Sequence, residues 1–112
     1  EANVRLATKL KQKGYPIYVL SNFPGDQFDK YEKGNPFLQM FDDKIISGHV
    51  GLAKPDTKIY QLAIDKFNLV PEKSLFIDDK IENVNGAKQL GIHTIHLENP
   101  DQLPKLIQPF IS

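Results

Sequence analysis

Five polar residues in this sequence have types and positions suited to chemistry on an anion. Ser21 and Asn22 follow the apolar run Ile17-Tyr18-Val19-Leu20; Lys54 lies within Gly51-Leu52-Ala53-Lys54-Pro55-Asp56; Asp78 and Asp79 close the run Leu75-Phe76-Ile77. A hydroxyl and an amide can hold an anion, and a lysine supplies a fixed positive charge. Two adjacent carboxylates repel each other unless they share a proton or a cation. A hard divalent ion such as Mg²⁺ resolves that repulsion, because it binds one or two carboxylates together with phosphate oxygens and waters. A lysine beside such an ion suits a phosphate dianion. Each residue also has a plainer structural use: a serine after a strand caps a turn, a lysine before proline is solvated, and an Asp pair before a helix caps it. Their order and context separate these uses better than any one residue does.

The elements that must position them can be read from the pattern of apolar residues. Ala2 to Lys13 carries Leu6, Ala7 and Leu10 at helical spacing, and Gly14 marks its stop. Ile17 to Leu20, Lys44 to Ser47, Ser74 to Ile77 and His93 to Leu97 are short β-rich runs suited to strands. The first has no alternation, as expected where both faces of a parallel sheet are covered. A short helix is expected near Asp26 to Tyr31. Asp56 caps a helix whose apolar face is Ile59, Tyr60, Ala63, Ile64 and Phe67. A further helix carries Ile81, Val84 and Ala87 and stops at Gly91. Leu103, Leu106, Ile107 and Phe110 form the i, i+3, i+4, i+7 stripe of a last one. Alternating strands and helices indicate an α/β fold with a mostly parallel sheet, in which ligands bind at the carboxyl ends of the strands. The five polar residues fall at those ends or in the loop after the second strand.

Composition limits the alternatives. With 14 basic and 14 acidic residues the net charge is zero, which lacks the footprint of a protein that binds nucleic acid or an anionic membrane. No cysteine is present, so a disulfide scaffold, a thiolate zinc site and a cysteine nucleophile are excluded, and a reducing, cytoplasmic setting is expected. The apolar runs are far too short to span a membrane. His93 and His96 are three apart on a strand and face opposite ways, so they cannot share a metal; His49 falls in a loop with no evident partner. The length of 112 residues suits one core. Yet residue 1 is Glu and the opening segment reads as mid-helix, so a longer parent chain is expected.

Val19-Leu20-Ser21-Asn22, Gly51-Leu52-Ala53-Lys54-Pro55-Asp56, and Phe76-Ile77-Asp78-Asp79 followed by Asn83, Ala87 and Leu90-Gly91-Ile92 resemble the haloacid dehalogenase-like (HAD) hydrolases. Motifs two, three and four of that superfamily stand in order over Leu6 to about Leu106. The nearest resemblance is to the sugar-phosphate phosphatases and the phosphatase domain of soluble epoxide hydrolases. The resemblance implies a Rossmann-like core, a small phosphorylated substrate and Mg²⁺. Ser21 would donate its hydroxyl to the transferring phosphoryl group with the Asn22 N–H assisting, and Lys54 would stabilise the negative charge. Asp79 would be a direct Mg²⁺ ligand, Asp78 a second ligand or the holder of a bound water, and Asn83 a support for that loop or for Lys54.

One departure is large. Family members begin with a strand ending in Asp-x-Asp, whose first Asp is the nucleophile that forms an aspartyl-phosphate and whose second is the general acid/base. Asp42-Asp43 precede a strand here, and Asp26-Gln27-Phe28-Asp29 has the wrong spacing. The chain is therefore expected to be the C-terminal portion of a single HAD-like core domain, residues 1–112. It would lack the central motif-one strand and the cap, with the missing segment of the same protein as its partner and little activity alone. Metal-free haloacid dehalogenation is the alternative chemistry, although it has little use for two carboxylates. A non-catalytic phosphate-binding module is the alternative class. A phospho-receiver domain would carry its Asp pair first and its Lys last, the reverse of the order here. A serine nucleophile elbow would need glycine where Val19 and Phe23 stand.

Overall fold

Each apolar run that reads as a strand forms one, displaced by no more than a residue. The computed structural model describes residues 2–111. The chain has α/β architecture with parallel strands, and it divides into two compact units between Ala53 and Lys54.

The first unit runs α1 (Ala2–Gln12), β1 (Tyr18–Ser21), α2 (Gly25–Lys33), a 3₁₀ turn at Pro36–Met40, β2 (Asp43–Ile46) and α3 (Ser47–Val50). β1 and β2 pair in parallel from Tyr18 opposite Asp43 to Ser21 opposite Ile46. Both strands thus leave the ladder at one level, which sets the residues after Ser21 beside those after Ile46. Asp42 ties the unit's start together by accepting from Lys11 Nζ at 2.6 Å and from Ile17 N–H at 2.7 Å. The lysine bond, then the backbone N–H, hold its carboxyl below the usual range. Ile45, Ile46 and Phe28 are buried. Phe23, Phe28 and Tyr31 form an aromatic cluster with centroids 6.0 to 6.5 Å apart.

The second unit runs α4 (Thr57–Phe67), a 3₁₀ turn at Pro71–Lys73, β3 (Leu75–Asp78), α5 (Ile81–Lys88), β4 (His93–His96), a 3₁₀ turn at Pro100–Gln102, α6 (Leu103–Leu106) and α7 (Gln108–Ile111). β3 and β4 pair in parallel, Leu75 opposite His93 to Asp78 opposite His96. The expected face of α4 buries Ile59, Tyr60, Ala63 and Phe67, and Val84, Ala87, Ile92, Ile95 and Ile107 are buried too. Asp56 caps α4 by accepting from Lys58 N–H at 2.9 Å. Asn68, with φ 55, closes the helix in the left-handed region that asparagine tolerates. Replacing Asp56 with alanine is expected to lower unfolding stability by about 1 kcal/mol, read from the urea midpoint.

One expectation needs correction. The stripe Leu103, Leu106, Ile107, Phe110 does not form a single helix; it is divided between α6 and α7. Pro109 lacks the N–H that a continuous helix would donate to Lys105, and its ring would press on that carbonyl. Of the stripe only Ile107 is fully buried, while Leu106 and Phe110 are exposed. Among the described residues no helix is long and apolar enough to cross a membrane.

Candidate active site

In the second unit, β3 delivers Asp78 to its carboxyl end, where its carboxylate is almost fully engaged. Oδ2 accepts from Lys54 Nζ at 2.7 Å and from Asn83 Nδ2 at 3.2 Å, and Oδ1 accepts from Lys80 N–H at 2.9 Å. The side chains of Lys54 and Asp78 are only 10% and 6% exposed, so this is a buried ion pair and not a surface one. Burial alone would raise the Asp78 pKa; the Lys54 bond, the Lys80 N–H and the Lys54 charge more than offset it, and the carboxyl titrates below its ordinary range. Lys54 also stands 5.6 Å from the centroid of the Phe76 ring. The residue at the N-cap position of α5 is Lys80, so the Asp pair does not cap that helix from the cap position.

Asp79, next in the chain, is exposed. Its backbone carbonyl accepts from His96 Nε2 at 3.0 Å. A carbonyl can only accept, so His96 carries a proton on Nε2. The carbonyl of Glu72 holds His93 in the same way at 2.9 Å, and both histidines have structural partners. Asn83 is buried in the first turn of α5. Lys54, Asp78 and Asn83, chosen from sequence, therefore converge, with Asp79 at their edge.

Two residues that sequence reasoning missed support this arrangement. Tyr60 is 1% exposed and donates its hydroxyl to the Asn83 carbonyl at 2.7 Å, fixing the turn that carries Asn83. Its pKa is pushed up to about 12 by burial and then by the Asp78 charge. Its ring meets Phe76 edge to face at 5.7 Å. Gly86 makes room for it: a Cβ there would lie 2.7 Å from Tyr60 Cε2. Periodicity placed Tyr60 on the apolar face, but nothing in the sequence signals that its hydroxyl has a task.

In the first unit, β1 presents half-buried Ser21 at its end, and Asn22 opens the following loop. Asn22, Phe23, Pro24, Ser47, Gly48, Gly51, Leu52 and Ala53 line an open cleft of about 450 Å³. His49, expected in a loop without a partner, instead lies in α3 and reaches Asp29 Oδ1 at 3.0 Å and Gly25 O at 3.3 Å. Ser47, expected from sequence to end a strand, does not. It begins α3 and bonds the loop after Ser21, a contact that only the parallel register creates.

Residues 1–91 match the family model for haloacid dehalogenase-like hydrolases, and the chain belongs to that family. It is 29% identical over 92 residues to a sesquiterpene phosphatase, astK, of Aspergillus oryzae, covering 82% of this chain and 47% of that one. It is 26% identical over 97 residues to (S)-2-haloacid dehalogenase 4A of Burkholderia cepacia, covering 87% and 42%. The chain thus spans less than half the length of these two relatives. Among solved structures, a HAD family enzyme of Bacteroides thetaiotaomicron in complex with magnesium and inorganic phosphate is 28% identical. That match covers 91% of this chain and 56% of that one, with a TM-score of 0.78.

Proposed function

We propose that residues 1–112 are the C-terminal portion of the core of a Mg²⁺-dependent phosphomonoester hydrolase acting on a small phosphorylated metabolite. The observation that carries this reading is the division of labour between the two adjacent aspartates. Asp78 spends its oxygens on Lys54, Asn83 and the Lys80 N–H, whereas Asp79, whose side chain also meets that of Asp78, is the exposed carboxylate of the two and the one offered to a cation. Among the described residues no three His, Asp or Glu side chains gather into a metal cage. One carboxylate is nevertheless a fitting share for Mg²⁺, which keeps several waters and takes substrate oxygens. When bound, that ion would offset charge on the phosphate. The relative of known structure that holds magnesium and phosphate favours the same reading.

The chain's own residues take the remaining roles. Ser21 and the Asn22 N–H orient the phosphoryl group, and Lys54, held by Asp78, faces its negative charge; phosphoryl transfer depends mostly on such positioning and neutralisation. Among the described residues no strand ends in Asp-x-Asp: the four ends lead into Asn22-Phe23, Ser47-Gly48, Asp79-Lys80 and Leu97-Glu98. The nucleophile is therefore assigned to a strand outside this sequence.

The test is hydrolysis of p-nitrophenyl phosphate by the full-length protein. Turnover is expected with Mg²⁺, to collapse in EDTA, and to fall by about 100-fold in Asp79→Asn. Metal-independent release of halide from a 2-haloacid, with no phosphatase activity, would establish the dehalogenase reading instead.

A further inference from the structure

The turn after β2 grips the loop after β1 at three consecutive residues. Ser47 Oγ accepts from Phe23 N–H at 2.8 Å and lies 3.3 Å from the Phe23 carbonyl oxygen, so that one hydroxyl bonds both backbone groups of a single residue. The same carbonyl accepts from Gly48 N–H at 3.0 Å. Gly48 packs so closely that a Cβ on it would lie 2.0 Å from Gly25 N and 2.8 Å from Phe23 O. His49 then reaches the Gly25 carbonyl and Asp29. On its other side Phe23 is anchored by its ring against Phe28 and Tyr31.

We infer that Ser47 is a positioning residue for phosphate recognition, acting through the loop that begins at Ser21 and Asn22. This rests on the phosphatase reading above. The bond to Phe23 N–H fixes the peptide plane between Asn22 and Phe23, and with it the backbone torsion of Asn22. Asn22 is the residue whose N–H that reading directs at the phosphoryl oxygens. An anion cradle acts by having its donors aimed before the charge arrives, so a loop free to rotate forfeits affinity even when every donor is still present. Ser47 itself is not placed on the phosphate, because its hydroxyl is committed to Phe23.

The experiment compares wild type, Ser47→Ala and Ser47→Thr in the full-length protein with Mg²⁺. It measures the dissociation constant for inorganic phosphate, KM and kcat for p-nitrophenyl phosphate, and amide exchange at Phe23. Ser47→Ala is expected to weaken phosphate binding and raise KM by about tenfold, with kcat changed much less, and to speed Phe23 amide exchange by about tenfold. Ser47→Thr, which keeps the hydroxyl, is expected to restore all three. Faster Phe23 exchange with unchanged phosphate affinity and KM would overturn the inference and leave the phosphatase reading intact. So would a fall in thermal stability with KM unmoved. A wild type that neither binds phosphate nor hydrolyses the ester would overturn the phosphatase reading, and this inference with it.

Discussion

Replacing Lys54 with methionine is expected to destabilise the protein by about 3 kcal/mol at neutral pH and to reduce phosphate-ester turnover by about 100-fold or more. The first effect follows from burial. With Lys54 gone, Asp78 keeps two donors, Asn83 and the Lys80 N–H, but no positive charge, in a place where its side chain is only 6% exposed. Removing one partner of a buried pair leaves an uncompensated charge, which is worse than having no pair at all. Urea denaturation of Lys54→Met beside the double variant Lys54→Met/Asp78→Asn checks this, since the second change should recover part of the loss.

The pH dependence supplies a sign. The Asp78 carboxyl titrates lower in the folded protein than its ordinary value of 3.8, so the pair stabilises fully above that value. Its contribution is lost as pH falls through the lower folded value. In Lys54→Met the opposing cation is gone and burial raises the pKa. The stability gap between variant and wild type should therefore be widest near neutrality and shrink in acid, once the variant's carboxyl protonates. A gap that is constant from pH 7 to about pH 3 would show that Lys54 acts through packing alone.

The second large effect is expected at Gly48. An alanine there would place its Cβ 2.0 Å from Gly25 N and 2.8 Å from both Phe23 O and Pro24 C, all backbone atoms that no rotamer change can move. A loss of about 3 kcal/mol is expected, with the loop after Ser21 displaced. Gly51, three residues on, is the control. Its Cβ would meet nothing within 4 Å, but its φ is 73, so Gly51→Ala should lose about 1 kcal/mol from torsional strain alone. Equal losses at the two glycines would refute the close-approach account.

The strands and the chemistry-bearing residues were legible because both are local. Tyr18 to Ser21 and Leu75 to Asp78 are continuous β-rich runs that end in polar residues, and each pairs in parallel with a strand of its own unit. Asp56 read as a cap and is one. The C-terminal stripe has the apolar spacing of one helix, but Pro109 lacks the N–H that would carry it through, and two short helices form instead. His49 lacked an evident partner because Asp29 lies 20 positions away and meets it only across the fold.

By itself, then, the sequence determined the α/β order of elements and the identities of Ser21, Asn22, Lys54, Asp78, Asp79 and Asn83. It did so because residue type, run length and spacing are properties of neighbours along the chain. Which aspartate holds the lysine and which is left exposed was decided only by tertiary structure. So were the Tyr60 hydroxyl on Asn83, the space that Gly86 gives its ring, and the clasp of Ser47 on Phe23. Those relations join residues 23 or 24 positions apart, and in one case 26. Parallel register, helix packing and burial select them, and no local pattern encodes them.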